Sequence, residues 1–252
     1  MLKRALLLAA ALAFPTPVLA APADVAAAVS APGRPAEAVA LDAVRKPVEV
    51  LAWLGLERGD RVLDYFTGTG YYAEIMARAV GPEGSVTGWN APGFGRNERV
   101  RTALAGIRER SPNTSFYFTP TTALSFAPNA YDFVLLHLVY HDAYWESAQF
   151  GLPRIDPNTV TAALFQAVKP GGTVAVIDHI AMPGRETRPE VEATHRILPE
   201  TVRADFERAG FEFAGSSEML RNPEDDRSKN VFDPSIRGRT DRFVYRFRRP
   251  AR

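Results

Sequence analysis

From residue 61 onward, short apolar runs alternate with segments of helical period. Arg61 to Phe66 reads as a strand that runs into Thr67-Gly68-Thr69-Gly70. Behind it Tyr72, Ile75, Met76 and Ala79 fall at i, i+3, i+4 and i+7, one face of a helix. Gly81-Pro82-Glu83-Gly84 stops that helix, and Ser85 to Trp89 is a second strand. Val100, Ala103, Leu104 and Ile107 mark the next helix, followed by strands at Thr114 to Thr119 and Tyr131 to Val139. Asp156 caps a helix opened by Pro157, with Val160, Ala163, Leu164, Ala167 and Val168 on one face. Lys169-Pro170-Gly171-Gly172 ends it, and Thr173 to Ile177 is a continuous β-branched and apolar run, as for a strand covered on both faces. Pro199 to Ala209 is a helix stopped by Gly210; Phe211 to Ala214 and Arg242 to Phe247 are the last two strands. Alternation of this kind predicts an α/β fold with a parallel sheet and helices on both faces. No helix separates the final two strands, so the last of seven is expected to be antiparallel.

The first 60 residues follow another pattern. Met1 to Arg4 is basic, Ala5 to Phe14 is uninterrupted apolar sequence, and Val18-Leu19-Ala20 before Ala21 has the small-x-small form of a signal peptidase site. The run is about half of the ~20 residues a membrane span needs. Residues 1–20 are therefore expected to be a signal peptide. The mature chain would start at Ala21, work in the periplasm or outside the cell, and not be held in a membrane. Residues 21–44 read as an Ala/Pro-rich arm with short helices, Pro35 to Ala43 among them. Pro47 to Leu54 is a further helix, and residues 45–252 form one α/β domain.

Composition narrows the functional classes. The 252 residues are 46% hydrophobic and 23% charged, which excludes disorder, collagen and coiled coil. Formal net charge is +1, and without Lys3 and Arg4 it becomes −1; with no basic stripe, nucleic acid is not an expected partner. There is no cysteine, which removes disulfides, thiolate-bound zinc and any thiol nucleophile.

Strand, acid, tight glycine turn and helix together make a nucleotide-cofactor entrance, because glycine lets the backbone approach a ligand and a helix start offers free N–H groups. Gly68, Gly70 and Ala73 also satisfy the looser dinucleotide pattern. Asp64, four residues before the first glycine, favours a cofactor with an amino-acid end over a pyrophosphate. Val62 to Gly70 resembles motif I of the class I S-adenosylmethionine-dependent methyltransferases; Tyr131-Asp132-Phe133-Val134 and Leu164 to Val176 resemble that family's fourth- and fifth-strand blocks. More narrowly, the chain is similar to a group of exported predicted methyltransferases. The resemblance implies a seven-stranded Rossmann-like fold, strand order 3-2-1-4-5-7-6. It also implies S-adenosyl-L-methionine as cofactor across the ends of the first two strands, held by Asp64, Gly68, Gly70, Tyr71 and Asn90. Three departures stand out: Phe66 replaces the first glycine, Asn90 stands where an acid usually grips the ribose, and Thr119-Pro120-Thr121-Thr122 stands where an acid commonly meets the adenine amine.

His141-Asp142 follows the fourth strand and Asp178-His179 the fifth, so both pairs are expected to face one cleft at the ligand edge of the sheet. They are the candidate catalytic residues, with His141 the proton acceptor and Asp142 or Asp178 its orienting group. His137 reads as a core residue, and the surroundings of His195 carry no signal. The polar stretch Glu218 to Asp241 reads either as a folded lid or as a solvated loop. The expected function is an exported methyltransferase acting on a small molecule, with no bound metal. Two alternatives remain: a non-catalytic binding protein with a degenerate cofactor site, and a metal-dependent hydrolase in which Asp142, Asp178 and one histidine hold the ion.

Overall fold

A computed structural model describes residues 21–251. The export segment read at residues 1–20 lies outside the described residues.

Seven strands build one sheet: β1 Arg61–Tyr65, β2 Ser85–Asn90, β3 Thr114–Phe118, β4 Tyr131–His137, β5 Val168–His179, β6 Glu212–Ser217 and β7 Arg242–Arg248. Their order is β3-β2-β1-β4-β5-β7-β6, parallel except for β7, which runs antiparallel to both β5 and β6. Fold class, strand order and the reversed last strand are those anticipated from the sequence. Around the sheet lie α1 Val25–Ser30, α2 Ala36–Val39, α3 Asp42–Arg45, α4 Pro47–Leu54, α5 Tyr71–Val80, α6 Pro92–Gly95, α7 Glu98–Arg110, α8 Pro157–Ala167, α9 Thr187–Thr194 and α10 Pro199–Arg208.

Successive side chains of a strand point to opposite faces, and both faces here are apolar. Val62, Phe133, Leu135, Ala175 and Ile177 enter one core with α1, α4, α5 and α7. Leu63, Val134, Leu136, Val174 and Val176 enter the other with α8 and α10. Val25 and Ala28 of α1 are buried in the first core, so the N-terminal arm packs as part of the domain.

Three local differences from the sequence reading have simple causes. The segment Pro35 to Ala43 divides into α2 and α3 around Ala40-Leu41. The Lys-Pro-Gly-Gly turn lies inside β5: Val168 pairs with Tyr131 before Thr173 pairs with Phe133, so the turn is an irregularity in the ladder and not a gap before it. The short helices α6 and α9 carry too few apolar positions to show a period.

Candidate functional site

The glycine loop is built by contacts from outside it. Gly68 has φ +57°, and a Cβ placed there would meet nothing within 4 Å among the described residues, which leaves open space above this residue. Gly70, at φ +82°, serves packing: a Cβ there would lie 2.4 Å from Ile107 Cδ1. The loop is pinned by Asn90, buried at the end of β2. Its Oδ1 accepts from Gly68 N–H at 2.9 Å and its Nδ2 donates to Gly68 C=O at 3.2 Å. Asn90, read from sequence as a ribose contact, braces the loop through both ends of its amide and keeps a second N–H and a second oxygen lone pair.

Asp64 sits beneath, fully buried, accepting from Thr67 Oγ1 at 2.5 Å. Burial raises its carboxyl to about 7, against the pull of Thr67, Arg45 and the Ala73 N–H. Its folded pKa thus exceeds its ordinary 3.8, so the stability tied to its proton is complete below pH ~4 and lost as pH rises through ~7. Asp64→Asn is therefore expected to melt above wild type at pH 8, with the gap closing at pH 5. A gap that does not change with pH would contradict the assignment.

Tyr71 points to the N-terminal arm. Its hydroxyl donates to Asp42 Oδ1 at 2.7 Å, Asp42 is held bidentately by Arg34, and the Arg45 guanidinium covers the ring at 4.4 Å. Tyr71 also lines a groove of about 660 Å³ with Leu41, Glu74, Arg99 and Ile107. Phe66 adopts φ +59°, a left-handed turn that glycine would take without strain, at a cost of about 1–2 kcal/mol. Its ring lies edge-on to Trp89 at 4.8 Å and to Phe94 at 5.4 Å, inside the second core. Trp89 Nε1 donates to Thr119 Oγ1 at 2.6 Å, whereas the buried Thr121 hydroxyl has no partner among the described residues.

The other half of the rim gathers polar groups from distant segments. The turn Tyr140–Tyr144 follows β4 and places His141 against the end of β5. Asp178, with no exposed surface, accepts from His141 N–H at 3.0 Å through Oδ2 and meets His141 Nδ1 at 2.8 Å through Oδ1. The other ring nitrogen, Nε2, is 3.4 Å from Asp142 Oδ1. Burial alone would lower His141, but Asp178 and Asp142 raise it to about 9. His141 therefore keeps its proton at neutral pH, and the acceptor role read for it from sequence is confined to alkaline conditions. Burial and the neighbouring Asp178 charge raise Asp142 to about 6.

His179, its ring 6.0 Å from that of His141, meets Thr240, whose Oγ1 lies 2.7 Å from its Nδ1; burial, then His141 and Arg242, hold it well below its ordinary range. His137 is half-buried against Tyr72, its Nε2 has no partner among the described residues, and desolvation keeps it neutral. His195, which the sequence did not single out, packs 5.5 Å from the His141 ring.

The stretch Glu218 to Asp241 is folded. Arg196 binds Asp225 bidentately at 2.9 and 3.1 Å, Asp225 accepts from Asp241 N–H at 2.7 Å, and Asp241 pairs with Arg221 and Arg227. The alternating acids and bases of this loop were the available signal; which would pair was not readable from their order.

Comparison with known proteins places this geometry. The family of protein-L-isoaspartate(D-aspartate) O-methyltransferases matches residues 38–92, the stretch from the arm through the glycine loop to β2. A demethylmenaquinone methyltransferase of Listeria welshimeri is 28% identical over 132 residues, 52% of this chain and 49% of the relative; the chain spans about half the length of the curated relatives it matches. Among solved structures, a SAM dependent methyltransferase from Aquifex aeolicus superposes with TM-score 0.56 at 20% identity, covering 80% of this chain and 88% of that one. One from Mesorhizobium loti does so with TM-score 0.56 at 16% identity, covering 83% and 100%.

The fold is that of the class I methyltransferases.

The methyltransferase fold also fits a [4+2]-cyclase, TM-score 0.56 at 18% identity over 88% of this chain and 86% of that one, so chemistry must be argued from the site. Within the fold, the family match covers the glycine-loop half and leaves the histidine rim outside it.

Proposed function

We propose that this chain is an exported S-adenosylmethionine-dependent methyltransferase acting on a small molecule. The observation that carries the reading is the open space above Gly68, in a loop held rigid by Asn90 over the buried Asp64. The Thr121 hydroxyl, in the turn after β3, is a buried polar group with no hydrogen-bond partner among the described residues. These residues fit an adenosyl amino-acid ligand: Asp64 and the second lone pair of the Gly68 carbonyl toward its ammonium end, Thr121 toward its base. The similarity to a demethylmenaquinone methyltransferase supports a small acceptor.

When bound, the cofactor supplies an electrophilic methyl group. The protein's part is to orient the acceptor and manage its proton. His141, holding its proton between Asp178 and Asp142, donates to an acceptor oxygen or nitrogen. Asp142, at about 6, is the carboxylate able to take a proton near neutral pH.

Export is supported by the order of basic start, apolar run and small-residue exit before Ala21. Ala21 is already tied to the fold, its carbonyl accepting from Arg58 N–H at 2.9 Å. Calorimetric titration with S-adenosylmethionine and its demethylated product tests the activity. Saturable 1:1 binding of both is expected, and no binding of either at millimolar concentration by folded protein would end the catalytic reading. N-terminal sequencing of protein recovered outside the cytoplasm should begin at Ala21; intact Met1 would refute export.

A further inference from the structure

His141, Asp142 and His195 each offer one ligand atom, and those atoms all lie within 4.8 Å of one another. An ion about 2.1 Å from each of three ligands needs ligand atoms roughly 3–4 Å apart, so small rotations of these side chains complete the set. His141 is already oriented for this. Its Nδ1 is turned to Asp178, which leaves Nε2 facing Asp142 at 3.4 Å, and the His195 ring lies 5.5 Å from the His141 ring. A carboxylate behind a ligating histidine fixes its tautomer and raises its basicity. Asp178 fills that place and is not free to ligate: Oδ1 also accepts from His179 N–H at 2.8 Å and Oδ2 from His141 N–H.

His195 supplies an independent observation. It closes α9 in the left-handed region, φ 54° and ψ 44°, which few residues other than glycine adopt, histidine, asparagine and aspartate most often among them. Backbone strain of this kind persists where the surroundings hold a side chain in place. The ring is held edge-on by Trp145 at 4.6 Å and Phe232 at 5.1 Å. Among the described residues it has no hydrogen-bond partner. Phe232 is 56% exposed, so the cluster lies one ring from solvent and an ion has a way in.

We propose that His141, Asp142 and His195 form a binding site for a divalent transition-metal ion at the rim of the sheet, with Asp178 as the positioning residue behind His141. Two imidazoles and one carboxylate suit zinc, cobalt, manganese or ferrous iron over magnesium or calcium, which prefer all-oxygen sets. Three protein ligands leave a position open for water or a substrate oxygen. The site does not depend on the cofactor reading: an ion on Nε2 displaces the proton His141 otherwise holds there, so metal binding and the proton-donating role of His141 are alternatives. It differs from the set anticipated from sequence in using His195 in place of Asp178.

The test is titration of the metal-stripped protein, without cofactor, using Zn²⁺ by calorimetry and Co²⁺ by visible absorption. One equivalent of each is expected to bind, with Co²⁺ bands of nitrogen and oxygen ligation, unaffected by millimolar Mg²⁺. His195→Ala and Asp142→Asn are expected to weaken Zn²⁺ binding at least 100-fold while melting within a few degrees of wild type. His137→Gln, outside the set, should bind as wild type does. Absence of stoichiometric Zn²⁺ binding by wild type, displacement by Mg²⁺, or unchanged binding by folded His195→Ala would each overturn the proposal. Because the wild-type Co²⁺ spectrum reads the ligands directly, a variant that fails to fold does not remove the test.

Discussion

Gly68→Val is expected to abolish S-adenosylmethionine binding, by at least 100-fold in titration, in a protein that still folds. The residue has φ +57°, where a β-branched side chain is strained, and the volume a side chain would occupy is the free space above the loop. Asn90 holds both the N–H and the C=O of Gly68, so the loop cannot swing aside to accommodate valine. Gly171→Val is the matched control. Its φ is +80° with open space around a Cβ, so the backbone strain is similar, but it sits in the turn at the start of β5, at the other end of the sheet. Binding by Gly68→Val within threefold of wild type, or equal loss in Gly171→Val, would dissociate the glycine loop from cofactor binding.

The largest loss of stability is expected at Asp225. Its partner Arg196 and its own side chain are 0% and 1% exposed. Asp225→Ala strips the guanidinium of two bonds and leaves the N–H groups of Arg227 and Asp241 without their acceptor. Removing one member of a buried pair costs about 3–5 kcal/mol. For a domain of this size each kcal/mol moves Tm by about 2–4 °C, so a fall of about 6–20 °C is expected. Replacing both partners by apolar residues, as in Arg196→Met with Asp225→Leu, should recover part of the loss, because no uncompensated charge is then buried. The exposed pair Arg203–Glu207 provides the contrast, with an expected cost of about 0.5 kcal/mol or less for Glu207→Ala. Denaturation showing a loss below ~1 kcal/mol for Asp225→Ala would mean that water replaces the carboxylate in the pair. Thr240, which meets His179, and Phe232, which packs on His195, lie on the same loop, so its loosening should disturb the histidine rim as well.

The sequence by itself determined the sheet. Continuous apolar runs such as Thr173 to Ile177 can be buried only between two helical layers, and the missing helix before Arg242 to Phe247 forces the last strand to reverse. It also placed the glycine loop, since a strand, an acid and two glycines before a helical face are local signals that need no partner from elsewhere in the chain.

Tertiary structure decided how each polar side chain at the rim is used. Asn90 braces Gly68, 22 residues earlier, and only the approach of β2 to the loop shows it. Tyr71, next to the loop in sequence, belongs to Asp42 of the arm. His141 and His195 come from a turn after β4 and the end of α9, and nothing near His195 in sequence points to the partner it meets across the cleft. Apolar periodicity reports burial, a property of each segment's own faces. The role of a carboxylate, an amide or an imidazole depends on which charge and which hydrogen-bond partner the fold brings within about 3 Å, and these come from other segments of the chain.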